Sequence, residues 1–178
     1  MQDGDEPNRA EWIRLVLAQQ QGPLLRYAAR ITGDIERARD VVQDTFLRLC
    51  RERPERLNSH LTEWLFTVCR NRALDVVRKE SRTRTLTEID LSSRQSDEPS
   101  PALTAERRET TGELLQAIDD LPANQQEVIQ LKFQNDLSYR EISRITNLSV
   151  SNVGFLIHTG IKTLRQRVRA LEGVSHED

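Results

Sequence analysis

The sequence predicts an all-α protein: two small helical domains joined by a flexible acidic linker. Three observations lead there. Apolar residues recur at spacings of three and four through most of the 178 residues, and no stretch alternates as a half-buried strand does. Glycine (7) and proline (6) are scarce and aromatics make up 4%, so any core is aliphatic and suits helices. Between two periodic blocks, TLTEIDLSSRQSDEPSPALTA combines Ser, Thr, Asp, Glu and two prolines with little periodicity, the composition of a linker. The domains are therefore placed at 8–84 and 106–172, with the linker at 85–105.

In chain order, residues 9–31 carry Trp12, Ile13, Val16, Leu17, Leu24, Leu25, Ala28 and Ile31. Pro23, beside Gly22, is expected to divide this stretch into two helical segments, because proline lacks the N–H an interior turn needs. Gly33 ends the second segment, and Asp34 caps a helix continuing to about Glu52. Its apolar positions are Ala38, Val41, Val42, Thr45, Phe46 and Leu49; Asp40, Gln43, Asp44 and Arg48 form its polar strip. Taken alone, that strip is a solvated helix face.

RERPERLNSHLTE reads as a loop, with Ser59–Glu63 or Asn58–Thr62 as caps for the helix after it. That helix runs from about His60 to Arg82, with Leu61, Leu65, Val68, Cys69, Ala73 and Val76 facing a core. Trp64, Asn71, Asp75, Arg78 and Arg82 share another face. From Arg70 to Arg84 there are six cations against two anions, the densest basic stretch of the chain. Such a helix suits a surface that tracks phosphates and stacks bases. Trp64 also fits a partly buried core position, whereas Arg78 and Lys79 point to nucleic acid.

After the linker, a helix from about Thr104 carries Leu114, Leu115 and Ile118 and breaks at Leu121-Pro122. Asn124 is expected to cap Gln125 to Gln134, with Val128, Ile129, Leu131 and Phe133 apolar. Asn135-Asp136 is a turn. From Leu137 to Leu171 two helices are joined tightly. Ser138 and Glu141 make a capping box before Tyr139, Ile142 and Ile145. Asn147 tolerates the left-handed conformation that closes a helix. Ser149 caps a second helix with Val150, Val153, Ile157, Ile161, Leu164, Val168 and Leu171 on one stripe. Short helix, tight turn and longer helix are the proportions of a helix-turn-helix, although an αα-hairpin in an ordinary bundle has them too.

The net charge of −2 conceals a division. Residues 1–84 hold 16 Lys/Arg against 13 Asp/Glu, residues 85–120 hold 3 against 9, and residues 121–178 hold 7 against 6. Two mildly basic blocks thus flank an acidic middle. No apolar run approaches membrane-spanning length, and the polar, acidic N-terminus is unlike a signal peptide, so a cytoplasmic protein is expected. Cys50 and Cys69 form no CxxC pair and read as two reduced, packed thiols. His60, His158 and His176 are isolated, and no Ser-His-Asp, metal-ligand or phosphate-loop spacing occurs, so no enzyme, cofactor or metal site is expected.

Three stretches carry a family resemblance. TGDIERARDVVQDTFLRL with EWLFTVCRNRALDVVRKESR, and then AIDDLPANQQEVIQLKFQNDLSYREISRITNLSVSNVGFLIHTGIKTLR, resemble the bacterial RNA polymerase sigma factors of the extracytoplasmic-function (ECF) group. The resemblance covers nearly everything except the linker and tails. It implies a sigma region 2 bundle and a sigma region 4 helix-turn-helix that together bind core polymerase, recognise a promoter and open its minus-ten region. Asp40, Gln43, Asp44 and Arg48 fall on the strip that docks on the clamp coiled coil of the polymerase's largest subunit, with Phe46 packing inside; region 4 would meet the flap region. Minus-ten DNA falls to Asn58, His60, Trp64, Arg70, Asn71, Arg78 and Lys79, and a base-capturing loop lies around Leu57 to Thr62. Asp75 would orient a neighbouring cation, since phosphates repel a carboxylate. The linker would thread the polymerase cleft, its acidity suiting a basic channel.

Minus-thirty-five DNA falls to Arg140, Ser151, Asn152, His158, Lys162 and Arg165. Here the chain departs from the family's Gly-Thr-Val-Lys-Ser-Arg-Leu: two cations give way to Gly154 and Leu156, and Thr159-Gly160-Ile161 is neutral. Phosphate attraction should weaken accordingly. Phe155 and Leu156 offer an apolar patch to another protein, such as an anti-sigma factor. Two rival readings stand beside this one. The first is a helix-turn-helix regulator acting without polymerase docking. The second is a decoy that binds core polymerase without reading promoters.

Overall fold

The computed structural model describes residues 6–57, 59–87 and 116–174, and all regular structure among them is helical. The chain divides into two compact units, Met1–Ser96 and Asp97–Asp178.

In the first unit, α1 (Glu6–Thr32), α2 (Ile35–Leu49) and α4 (Leu61–Thr87) pack pairwise around one core, with the short α3 (Pro54–Leu57) between α2 and α4. The expected break at Pro23 does not occur, and α1 runs through it. Val16 before the proline and Leu24, Tyr27 and Ala28 after it are all buried. An interior proline costs about 3 kcal/mol, whereas burying a large apolar side chain contributes about 1.5–3 kcal/mol. Packing on both sides of the proline therefore outweighs the lost hydrogen bond. Gly33, at φ 65°, closes α1, its N–H donating to Ala29 O (2.8 Å). Asp34 Oδ1 then accepts from Arg37 N (2.9 Å), the expected cap.

All six apolar positions expected of α2 are buried. The helix ends at Leu49 rather than near Glu52: beyond Cys50 the chain tightens into turns in which Arg51 N donates to Arg48 O and Glu52 N to Leu49 O, and Arg9 from α1 donates to Cys50 O and to Glu52 O (3.0 Å). The expected loop holds α3, which Pro54 starts well and Leu57, 3% exposed, anchors. Ser59 Oγ lies 3.2 Å from His60 Nδ1. Asn58 lies outside the described residues.

Along α4, Leu65, Phe66, Cys69 and Ala73 are buried, and the Phe66 ring meets Tyr27 edge-on with centroids 5.1 Å apart. Two ion pairs join α2 to α4: Arg37–Glu80 (2.5 Å) and Arg72–Asp44 (2.6 Å). The helix reaches Thr87, past Arg82 and into the stretch assigned to the linker. The rest of that stretch, with Leu114 and Leu115, lies outside the described residues. The cysteines are free, but only Cys69 is packed; Cys50, at the end of α2 where the chain turns outward, is exposed. Burial pushes the Cys69 thiol up to about 12, against a smaller opposing effect of its hydrogen bond with Thr45.

In the second unit, α5 (Ala123–Phe133), α6 (Tyr139–Thr146) and α7 (Val150–Val174) form the core. α5 starts at Ala123 with Pro122 at the cap, earlier than an Asn124 cap would set it; Pro122 O accepts from Gln125 N and Gln126 N. Val128, Ile129 and Leu131 are buried, while Phe133 is exposed. Both arms of the Ser138–Glu141 capping box form, and Ser138 holds the Glu141 carboxyl below its usual range. Asn147 is left-handed at φ 59°, and Ser149 Oγ accepts from Asn152 N (3.2 Å) at the start of α7.

The inward face of α7 consists of Val153, Leu156, Ile157 and Gly160. Ile161, Leu164 and Val168 are half-buried, and Val150 is exposed. A Cβ on Gly160 would stand 2.6 Å from Ile129 Cδ1, so the tip of that side chain on α5 occupies the space a larger residue would take. No helix among the described residues is long and apolar enough to cross a membrane.

Candidate functional site

The capped, six-point apolar stripe of α2 fixes which face it turns outward. Asp40, Gln43 and Arg48 are exposed there. Asp44 is not simply solvated: its carboxylate holds Arg72 across the α2–α4 interface, and each side chain is 40% exposed. Phe46 is buried, as expected of a packing residue. Beside the strip lies a groove of about 510 Å³ between α1 and α2, lined by Leu17, Gln21, Leu25, Arg39, Val42, Gln43, Phe46, Leu47 and Cys50. Leu47 is 54% exposed at its edge, and Gln43 borders both strip and groove. The outward side of α2 is thus an acidic and amide ridge next to an apolar trough. Sequence reading found the ridge and missed the trough, since Leu47 falls between the periodic core positions and α1 supplies the other wall.

On α4, Asn71, Asp75, Arg78, Lys79 and Arg82 are exposed, and Trp64 and Arg70 are half-buried. Asp75 Oδ1 stands 3.8 Å from Arg78 Nη1, with both side chains about two-thirds exposed, so it steers Arg78 without neutralising it strongly. Arg72 leaves the basic face for Asp44, a role that sequence reading missed because nothing local marks an inter-helix pair. Of the expected base-capturing segment, Leu57 is core and unavailable, whereas Ser59 and His60 are exposed.

On α7 the exposed face carries Ser151, Asn152, Phe155, His158, Lys162 and Arg165, with Arg140 exposed on α6. Only the backbone N–H of Asn152 takes part in the cap; its side-chain amide makes no hydrogen bond among the described residues. The apolar patch expected of Phe155 and Leu156 does not form: Leu156 turns into the core at 6% exposure and Phe155 stands out at 64%. Adjacent helix residues cannot share a face, about 100° apart as they are. Gly154 adjoins Tyr139, whose ring would lie 3.6 Å from an added Cβ. Among the described residues, no group of three or more His, Cys, Asp or Glu is placed to hold a metal ion.

Two family models match in order along the chain: Sigma-70 region 2 over residues 17–83 and Sigma-70 region 4 over residues 111–164. The chain is 32% identical to the ECF RNA polymerase sigma factor SigM of Bacillus subtilis over 155 residues, covering 85% of this chain and 91% of the relative. It is 30% identical to the ECF sigma factor SigL of Mycobacterium tuberculosis over 167 residues, covering 91% and 92%. The fold is similar to that of the sigma factor RpoE of Bartonella quintana, co-crystallised with the anti-sigma factor NepR. That likeness has a TM-score of 0.67 at 20% identity and covers 88% of this chain and 96% of that one. Two family models in order along the chain and relatives matched over nine-tenths of their length agree with a helical first unit and a helix-turn-helix later in the sequence: the chain belongs to the ECF RNA polymerase sigma factors.

Proposed function

We propose that this chain directs core RNA polymerase to specific promoters and opens their minus-ten region, using three separate helix faces. The observation that carries this reading is the outward side of α2, where Asp40, Gln43, Asp44 and Arg48 form a ridge beside an apolar groove. A ridge and trough of this kind fits a helical partner that presents cations along one edge and apolar side chains along the next. The clamp coiled coil of the polymerase's largest subunit is that partner, and the flap region receives the second unit.

The exposed Arg78 and Lys79 of α4 then neutralise phosphates of the minus-ten strand, releasing counterions, while Asn71, Arg70, Trp64 and the His60 segment, with Asn58, hold its unpaired bases. The helix-turn-helix places α7 in the major groove of the minus-thirty-five element. There Ser151, Asn152, His158, Lys162 and Arg165 reach bases and backbone, with Arg140 on the flanking phosphates. Residues 8–84 serve as region 2, 85–105 as the linker through the polymerase cleft, and 106–172 as region 4. Nucleotide chemistry stays with the polymerase, and the work on promoter DNA belongs in the cytoplasm. An anti-sigma factor is a further expected partner, as one is for the Bartonella quintana relative.

Run-off transcription with purified core polymerase tests this. Promoter-dependent transcripts are expected only when the chain is added. Binding to DNA without polymerase association would instead support a free helix-turn-helix regulator. Polymerase binding without transcripts from any promoter pool would make the chain a decoy.

A further inference from the structure

Phe155 occupies an unusual place. It is 64% exposed, in the second turn of α7, on the face that the proposed function lays against DNA. At about 100° per residue, its neighbours on that face are Ser151, Asn152, His158, Thr159 and Lys162. Four of these are exposed and polar, and Thr159 is half-buried with its hydroxyl donating back to Phe155 O (2.8 Å). The apolar residues Val153, Leu156 and Ile157 point into the core, while the exposed Val150 and Tyr139, the latter against Gly154, lie off this stripe, since positions 150 and 154 are each turned by about 100° or more from 155. Phe155 is therefore a single aromatic ring within a polar stripe, not the centre of an apolar patch. A protein-docking surface needs a contiguous apolar area, which this face lacks. A major groove offers one matching apolar feature, the C5-methyl group of thymine, and phenylalanine is among the side chains that contact it.

We propose that Phe155 is a specificity-determining residue that recognises a thymine methyl group in the minus-thirty-five element, an inference that rests on α7 being the minus-thirty-five helix. The ring takes over discrimination that the missing cations at Gly154 and Leu156 cannot supply. Phosphate contacts strengthen binding to any sequence, whereas a methyl contact distinguishes one base pair from the rest. Recognition by this helix thus depends more on base edges, and less on salt, than a cationic helix would.

The test uses holoenzyme assembled from the full chain and core polymerase. It selects promoters from random-sequence duplex pools amplified with either thymine or deoxyuridine, which lacks the methyl group. The unmodified protein should enrich a thymine at one upstream position in the first pool and lose that preference in the second. Phe155→Ala, at an exposed site that leaves the fold intact, should lack the preference in both. On the selected duplex, a single thymine-to-deoxyuridine change should weaken the unmodified holoenzyme about fourfold, the worth of one buried methyl group, and leave Phe155→Ala unaffected.

Equal methyl sensitivity in the two proteins, or an upstream element with no methyl-dependent position, overturns the inference while leaving α7 as the minus-thirty-five helix. Selection of a minus-ten element with no upstream element at all overturns both. Unchanged promoter selection by Phe155→Ala, together with loss of binding to a protein partner, assigns the ring to protein docking and refutes the DNA contact.

Discussion

Restoring one missing cation isolates how much the neutral recognition helix sacrifices. In Gly154→Lys, the new Cβ would lie 3.6 and 3.8 Å from the Tyr139 ring, ordinary contact distances, so nothing has to move. Replacing an interior helical glycine by lysine stabilises the helix by about 0.7–1 kcal/mol through backbone entropy alone. The thermal midpoint of the second unit should therefore rise, not fall. If the ammonium reaches a phosphate, the log-log salt dependence of minus-thirty-five binding should steepen by about 0.9. Between 50 and 200 mM salt, taken as a roughly fourfold span, that slope adds about a 3.5-fold loss of affinity, with the gain over the parent largest at low salt. Fluorescence anisotropy of a labelled promoter duplex with reconstituted holoenzyme, titrated across that range, measures it. An unchanged slope in a thermally stabilised protein would refute the placement of this edge of α7 against DNA. A lowered midpoint would refute the described Gly154–Tyr139 spacing.

Other substitutions separate surface from core. Gly160→Lys should lower the thermal midpoint of the second unit rather than strengthen DNA binding, chiefly because Gly160 is buried and the new charge would be buried with it, while the Ile129 side-chain tip, 2.6 Å from the new Cβ, would have to shift; circular dichroism on heating reports it. Asp40→Lys should abolish co-purification with core polymerase at unchanged stability. Asp44→Lys should in addition cost about 1 kcal/mol in urea unfolding, since it sets two cations together where Asp44 now pairs with Arg72 at 2.6 Å. Asn152→Ala should flatten promoter preference at one minus-thirty-five position without lowering the thermal midpoint, because the cap uses its backbone N–H alone; a uniform loss across a promoter-variant library would assign it a structural role. In a thiol-labelling time course at pH 8, Cys50 should react at once. Cys69, buried and with its thiol pushed up to about 12, should react only as the first unit opens; equal rates would contradict its place in the core.

Much of this architecture is legible without coordinates because its determinants are local. A cap needs one side chain and an N–H three residues away, and a closing turn needs a residue that tolerates positive φ. Asp34, Ser138 with Glu141, Asn147 and Ser149 can therefore be assigned from their neighbours alone. The stripe of α2 is readable for a similar reason: 3.6 residues per turn convert spacing directly into a face. The polar ridge of α2 and the basic face of α4 are the complements of such stripes. Their family roles come from motif resemblance, not from periodicity.

What tertiary structure alone decided involves residues distant in sequence. Pro23 signals a break, yet α1 is continuous because Leu24, Tyr27 and Ala28 are buried against the other helices of the unit, and local propensity yields to that packing. Leu156 joins Val153 and Ile157 on the inner face at helical spacing, and the packing of α7 on α5 and α6 buries all three while leaving Phe155 out. Gly160 reads as a neutral gap in a basic helix until Ile129 is seen against it. The diversion of Arg72 to Asp44 and the trough beside Leu47 each need two helices brought together. Capping and periodicity act within a turn or two of chain and are written in the sequence; the direction in which an exposed-looking residue points depends on what another helix places there.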